Sequence, residues 1–132
     1  SGIDILYKDY KKVERKFREK LKGKWTNEGD FARIGKESHY CDLELSTDVD
    51  DGEILGVIDC RNLKDGFELN NVSINGNLKF KSAILTLSDV KHGKHLKYAK
   101  VKISFDGKII KWNLKSGDEN YFPKSTIFWN ID

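Results

Sequence analysis

The sequence predicts a mainly β domain: an antiparallel up-and-down barrel of about eight strands, preceded by one amphipathic α-helix. Three observations predict it. The first twenty or so residues carry apolar side chains at helical spacing, with charges on the other faces. After Gly23 the apolar period falls from 3.6 to 2. From there, short apolar runs recur between polar turns, which indicates a sandwich or barrel rather than βαβ units. Closing the sheet into a barrel removes edges that would otherwise need protection. The 132 residues provide for one domain, 1–132, with the helix over 5–22 and the barrel over 24–131.

Leu6, Tyr10, Val13, Phe17 and Leu21 form the helical stripe, with Asp4 placed to cap the start and Gly23 to end the helix. Cys41, Leu43 and Leu45 alternate with Asp42 and Glu44, and Ile54, Gly56, Ile58 and Cys60 follow after the turn at 48–52. Val72, Ile74, Gly76, Leu78 and Phe80 alternate without a break, so 71–81 reads as one strand. A turn at Asn75-Gly76 would mix the two faces. The apolar phase then moves to Ala83, Leu85 and Leu87, which implies a bulge or a new strand. Asp106-Gly107 has the chemistry of a two-residue hairpin turn. Such a turn sets Ile103 opposite Ile110, Val101 opposite Trp112, and Lys102 opposite Lys111. The last strand spans 125–131, with Ile127, Trp129 and Ile131 inward.

Composition narrows the function classes. Apolar residues make up 38% and charged residues 34%, a polar but globular balance. Two cysteines cannot build a disulfide-rich scaffold, and no apolar run approaches the ~18 residues of a membrane span. Residues 1–24 hold nine Lys/Arg against four acids, so the net charge of +3 belongs to this segment, whose simplest reading is a solvated helix face. Ser1-Gly2, in place of an initiator methionine, reads as a processed or added N-terminus, and nothing in the sequence indicates a compartment.

Gly23-Lys24-Trp25 opens the first strand directly after the helix. A Gly-x-Trp at that place resembles the calycin group, which includes lipocalins, avidins and bacterial lipocalin-like domains. The resemblance implies that Trp25 closes one barrel end and stacks with a basic residue near the last strand, a place Lys124 fills. It also implies a small, mostly apolar ligand at the open barrel end, with Phe80, Phe105, Trp112 and Trp129 as lining. Gly23-Lys24-Trp25-Thr26-Asn27 is similar to avidins in particular. The pattern departs where biotin would be held: Phe31 stands where a hydroxyl residue belongs, and Val57 and Ile58 stand where a Tyr belongs.

Other chemistry is sparse. The turn at 49–52 sets Cys41 opposite Cys60 on inward faces, so a cross-strand disulfide is geometrically allowed, against the alternative of two buried thiols. No CxxC motif points to zinc or redox catalysis. His92 and His95 share a loop with Asp89 as the one obvious third ligand, too few for an expected metal site. His39 has no acid or nucleophile partner in sequence. Asp48–Glu53 does not fit a calcium loop, since Thr47 and Val49 fall where acids are needed. Asn71-Val72-Ser73 matches a glycosylation acceptor but falls inside a strand. Lys100, Lys102 and Lys111 lie on an outer face, yet arginines are few, and nucleic acid is not the expected partner. The common enzyme signatures are missing. The expectation is a non-catalytic binding protein without metal or cofactor, its small, mostly apolar ligand being what the calycin resemblance implies. The alternative is an inhibitor or immunity-type protein that acts through a protein interface, with Tyr121, Phe122 and Phe128 as an exposed patch.

Overall fold

The computed structural model describes residues 2–35 and 38–131, with side chains described for 8–35, 38–89 and 92–131. Helix α1 (Gly2–Leu21) leads into β1 (Gly23–Thr26), a 3₁₀ turn (Glu28–Asp30) and the short helix α2 (Phe31–Ile34). Seven further strands follow: β2 (His39–Thr47), β3 (Glu53–Asn62), β4 (Glu68–Asn77), β5 (Ser82–Lys91), β6 (Lys94–Phe105), β7 (Ile109–Gly117) and β8 (Ser125–Asn130). They close in sequence order into an antiparallel barrel, with β1 pairing both β2 and β8. This is the architecture that the period-two pattern predicts.

The inward positions form one continuous apolar core that includes Leu43, Ile58, Val72, Leu85, Val101 and Trp112. Two glycines serve geometry. Gly23, at φ +139°, turns the chain from helix to strand. A Cβ on Gly56 would sit 2.2 Å from the Glu44 carbonyl oxygen, so only glycine allows β2 and β3 to approach there.

Both ends of the barrel are covered. At one end α1 lies across the turns, with Leu21 fully buried and Phe17 edge-on to Phe105 at 6.1 Å. Arg18, 7% exposed, donates from Nη1 to the carbonyls of Val49 and Asp50, both at 2.9 Å, and pairs with Glu14. Arg15 pairs with Asp50 on the surface. The stripe docks only in part: Tyr10 and Val13 stay exposed, and Leu6 lies outside the described side chains. At the far end the 118–124 segment folds inward. Phe122 is 1% exposed, and the Trp112 indole N–H donates to the Pro123 carbonyl at 2.8 Å.

Four local expectations are corrected. First, β4 stops at Asn77, and Phe80 sits in the β4–β5 turn at φ +58°, outside the barrel. Its ring stacks on Tyr10 at 5.5 Å and meets Phe17 at 5.4 Å. Lys81 lies over both Phe17 and Phe80. These contacts hold a bulky residue in a left-handed conformation that costs about 1–3 kcal/mol. The phase change at Ala83 is thus a new strand.

Second, the β6–β7 register is shifted by two residues. Ile103 faces Trp112, Val101 faces Leu114, and Lys102 faces Asn113 rather than Lys111. The Asp106 carboxylate accepts the N–H groups of Lys108 and Ile109 at 2.8 and 2.9 Å, which moves the tight turn one residue on. A two-residue shift keeps every side chain on its own face.

Third, β8 is inverted: Thr126 and Phe128 point inward, while Trp129 and Ile131 are 37% and 54% exposed. Phe128 packs against Trp112 at 5.6 Å, a better fit to the core than the branched Ile127. Fourth, Lys124 does not reach Trp25. Trp25 pairs with Asn130, six residues along β8 from Lys124 and roughly 20 Å away at ~3.3 Å per residue. Trp25 instead donates its indole N–H to the Leu21 carbonyl at 2.9 Å and meets Phe105 edge-on. Lys124 is exposed and lies 3.6 Å from Glu119.

Candidate functional site

Two places outside the apolar core hold unusual side chains. The first is the seam beside β1. With only four residues, β1 ends before β2 and β8 do, and a gap would open between them. Asn27 and Asp30 fill it. Asn27, fully buried, accepts the Cys41 N–H on Oδ1 at 2.8 Å and donates from Nδ2 to the His39 carbonyl at 2.8 Å and to Thr126 Oγ1 at 3.2 Å. It replaces a strand backbone on the β2 side.

Asp30 does the same on the β8 side. Its Oδ2 accepts from Thr126 Oγ1 at 2.8 Å, from the Ile127 N–H at 3.0 Å and from Arg33 Nη2 at 2.7 Å, while Oδ1 accepts from Arg33 Nε at 2.8 Å. Burial pushes the carboxyl pKa up, but hydrogen bonds from Arg33, Thr126 and Ile127 outweigh it, so the pKa lies below the ordinary 3.8. With four donors on two oxygens, Asp30 has little capacity left to exchange a proton with a substrate. The cluster seals the barrel. Asn27 entered the sequence reading only within the avidin-like stretch, and Asp30 gave no signal, because an acid after a short strand reads as a turn residue.

The second place is an exposed apolar strip on the outer surface around β1. Trp129 lies with its ring over Gly29, where a Cβ would stand 3.1 Å away, and is 37% exposed. Ile131 follows on the same side. Across β1 and β2 lie Leu55, 46% exposed, and Val57, 40% exposed. Three clefts border the strip: one of 560 Å³ beside Trp129 and Lys22, one of 200 Å³ beside Ile131 and Val57, and one of 400 Å³ beside Leu55 and Gly56. Lys24 and Glu44 lie in the row between Ile131 and Val57, with Lys20 and Lys22 nearer α1 and Asp42 and Asp59 on β2 and β3.

The expected site residues do not converge. Of the four expected lining residues, Phe105 and Trp112 point inward, where each is 1% exposed or less and packed by neighbours. Phe80 and Trp129 lie outside the barrel. The alternative patch is not exposed either: Phe122 and Phe128 are buried, and Tyr121 is half-buried against Phe67. Cys41 stands opposite Cys60, as the turn length requires, with free thiols whose sulfurs are 2.6 Å apart. Burial pushes the Cys60 thiol pKa well up. His39 is buried with Nε2 3.2 Å from the Asn120 carbonyl, while His92 and His95 are exposed at the β5–β6 turn. Among the described residues, no group of three or more His, Cys, Asp or Glu converges as a metal site would require. No described helix is long and apolar enough to cross a membrane. Compared with known proteins, the chain matches no family model, no curated protein and no solved structure.

Proposed function

We propose that this is a non-catalytic binding protein that acts through the outside of its barrel, with a protein partner seated on the strip formed by Trp129, Ile131, Val57 and Leu55. The observation that carries the reading is the placement of the apolar side chains. The interior is filled by its own residues and covered at both ends, whereas Trp129 and Ile131 lie exposed outside by β8 and Leu55 and Val57 on β3, with Lys24 and Glu44 in the row between the two pairs. Aromatic anchors beside clefts, with charges at the rim, are the usual anatomy of a protein interface. The lysines and carboxylates among and around these apolar side chains select a partner that presents apolar groups together with charges of both signs. The barrel is consistent with a calycin-like fold, used here without the internal ligand that such a resemblance implies. A small apolar ligand inside would have to displace packed core side chains.

Two measurements test this. Titration with a long-chain fatty acid, followed by Trp fluorescence, is expected to show no stoichiometric saturable change. Saturable binding that survives Trp129→Ala would place a ligand inside and overturn the proposal. In pull-downs from the native source, Trp129→Ala/Ile131→Ser is expected to lose a stoichiometric protein that the wild type retains. Equal retention by both would also overturn it.

A further inference from the structure

The charges on the barrel are segregated by strand. On β2–β4 five carboxylates (Asp42, Glu44, Glu53, Asp59 and Glu68) stand against one cation, Arg61. On β5–β7 six exposed lysines (Lys94, Lys97, Lys100, Lys102, Lys111 and Lys115) stand against one carboxylate, Asp89. Each face also stores repulsion. Asp42 lies directly opposite Asp59 across β2 and β3, and like charges so placed are destabilising. Lys100 and Lys102 are neighbours on the outer row of β6, facing Thr86 and Ile84 on β5 rather than acids. Among the described residues, Lys100, Lys102 and Lys111 make no ion pair. Each face has an apolar centre beside a cleft. Leu55 and Val57 border the 400 Å³ cleft on the acidic side. Ile84, 50% exposed, lies in a 410 Å³ cleft with Lys79, Lys102 and Ser82 on the basic side.

We propose that the basic β5–β7 face binds the acidic β2–β4 face of a second copy of this chain. Opposite charge with an apolar centre on each side makes the two faces complementary, and joining them relieves the repulsion within each. The faces are successive arcs of the closed ring, so a molecule joined through one keeps the other free. The contact is heterologous and leads to a small ring or an open head-to-tail chain. Three strands of ten residues span on the order of 14 by 33 Å, below the roughly 800 Å² per partner of a stable complex. Association is therefore reversible and salt-sensitive. The inference rests on the reading that the outer surface is the binding surface, and it names one partner for part of it.

Sedimentation velocity of the full chain tests it, with Lys100→Glu/Lys102→Glu and Glu44→Lys/Glu53→Lys as variants that each cancel most of one face's net charge. All four positions are exposed, and circular dichroism of each variant serves as the check that it folds. At about 20 mM salt the wild type is expected to gain mass with concentration. At about 300 mM, where the Debye length falls from roughly 20 to about 6 Å, association is expected to weaken at least about tenfold. Each variant alone is expected to stay monomeric, and their equimolar mixture to pair one to one, since the lysine variant keeps an intact acidic face and the glutamate variant an intact basic one. A wild type that stays monomeric at low salt, or a mixture no heavier than its components, overturns the inference. Monomeric behaviour together with salt-sensitive binding of an oligothymidylate probe to the lysine face also overturns it and assigns that face to nucleic acid. None of these failures touches the strip reading, which falls only on fatty-acid saturation or on equal partner retention.

Discussion

The Asp30 carboxylate is buried and bonded to four donors, and that combination sets its titration. Its folded pKa lies below the ordinary 3.8, so it contributes stability that is fully present above about pH 4 and is lost as pH falls through the lowered folded value. Asp30→Asn keeps the shape and removes the charge that Arg33, Thr126 and Ile127 serve. It is expected to cost about 2–3 kcal/mol at neutral pH, read as a lower urea midpoint, and to flatten the acid limb of the stability profile. An unchanged acid limb would mean that Asp30 is not ionised in the seam. The cysteines give a second residue-scale expectation. Cys41 turns its N–H and C=O toward Asn27, so Cys41–Cys60 is a non-hydrogen-bonded pair with Cα atoms ~4.5 Å apart, within the range a disulfide spans. In the native protein both thiols are expected to resist Ellman's reagent and to react on unfolding. On prolonged equilibration with a low-molecular-weight disulfide, the two thiols are expected to lose two protons and two electrons to it, which mass spectrometry reads as the loss of two hydrogens. Rapid labelling of the folded protein would contradict their burial. The pairing was legible because it needed only a turn length and alternation.

Helix α1 is anchored by its last two turns. The sequence stripe locates its apolar side, but the strongest tie is a charge that the stripe omits. Arg18 reaches past the stripe to two carbonyls in the β2–β3 turn, whose shape is set by the Asp48 carboxylate accepting the N–H groups of Asp50 and Asp51. Arg18→Ala is expected to cost about 2–3 kcal/mol and to raise amide exchange over 8–21 ahead of the strands. Uniform exchange through helix and barrel would show that the helix is not a separate unit. Element-level errors in the sequence reading share one cause. In β8 both alternating sets, Thr126/Phe128 and Ile127/Trp129, contain a large apolar residue, so alternation alone does not choose the face. In β4 the alternation runs through Leu78 to Phe80, but the chain has already turned. There the ring of Phe80 finds its partners on a helix about seventy residues earlier, a contact no local pattern encodes.

The whole molecule decides whether the barrel is a container or a solid. Ile58 is fully buried in a filled interior, so Ile58→Ala is expected to cost about 2–4 kcal/mol, through the lost transfer energy and the cavity left behind. A cost nearer ~1 kcal/mol, measured by urea unfolding, would indicate free space around it. The sequence by itself determined the helix, the strand count and order of magnitude of strand length, the β2–β3 turn and the Cys41–Cys60 register, because periodicity and turn residues act over a few positions. It also carried the charge segregation, although a total of +3 conceals it until strands are assigned to faces. Only the tertiary structure decided that both ends are covered, that Asn27 and Asp30 complete a seam, and that Trp129 rather than Phe122 meets solvent. Those outcomes depend on contacts between residues far apart in the chain, where competing side chains of similar hydrophobicity are separated by the space the closed barrel leaves for each.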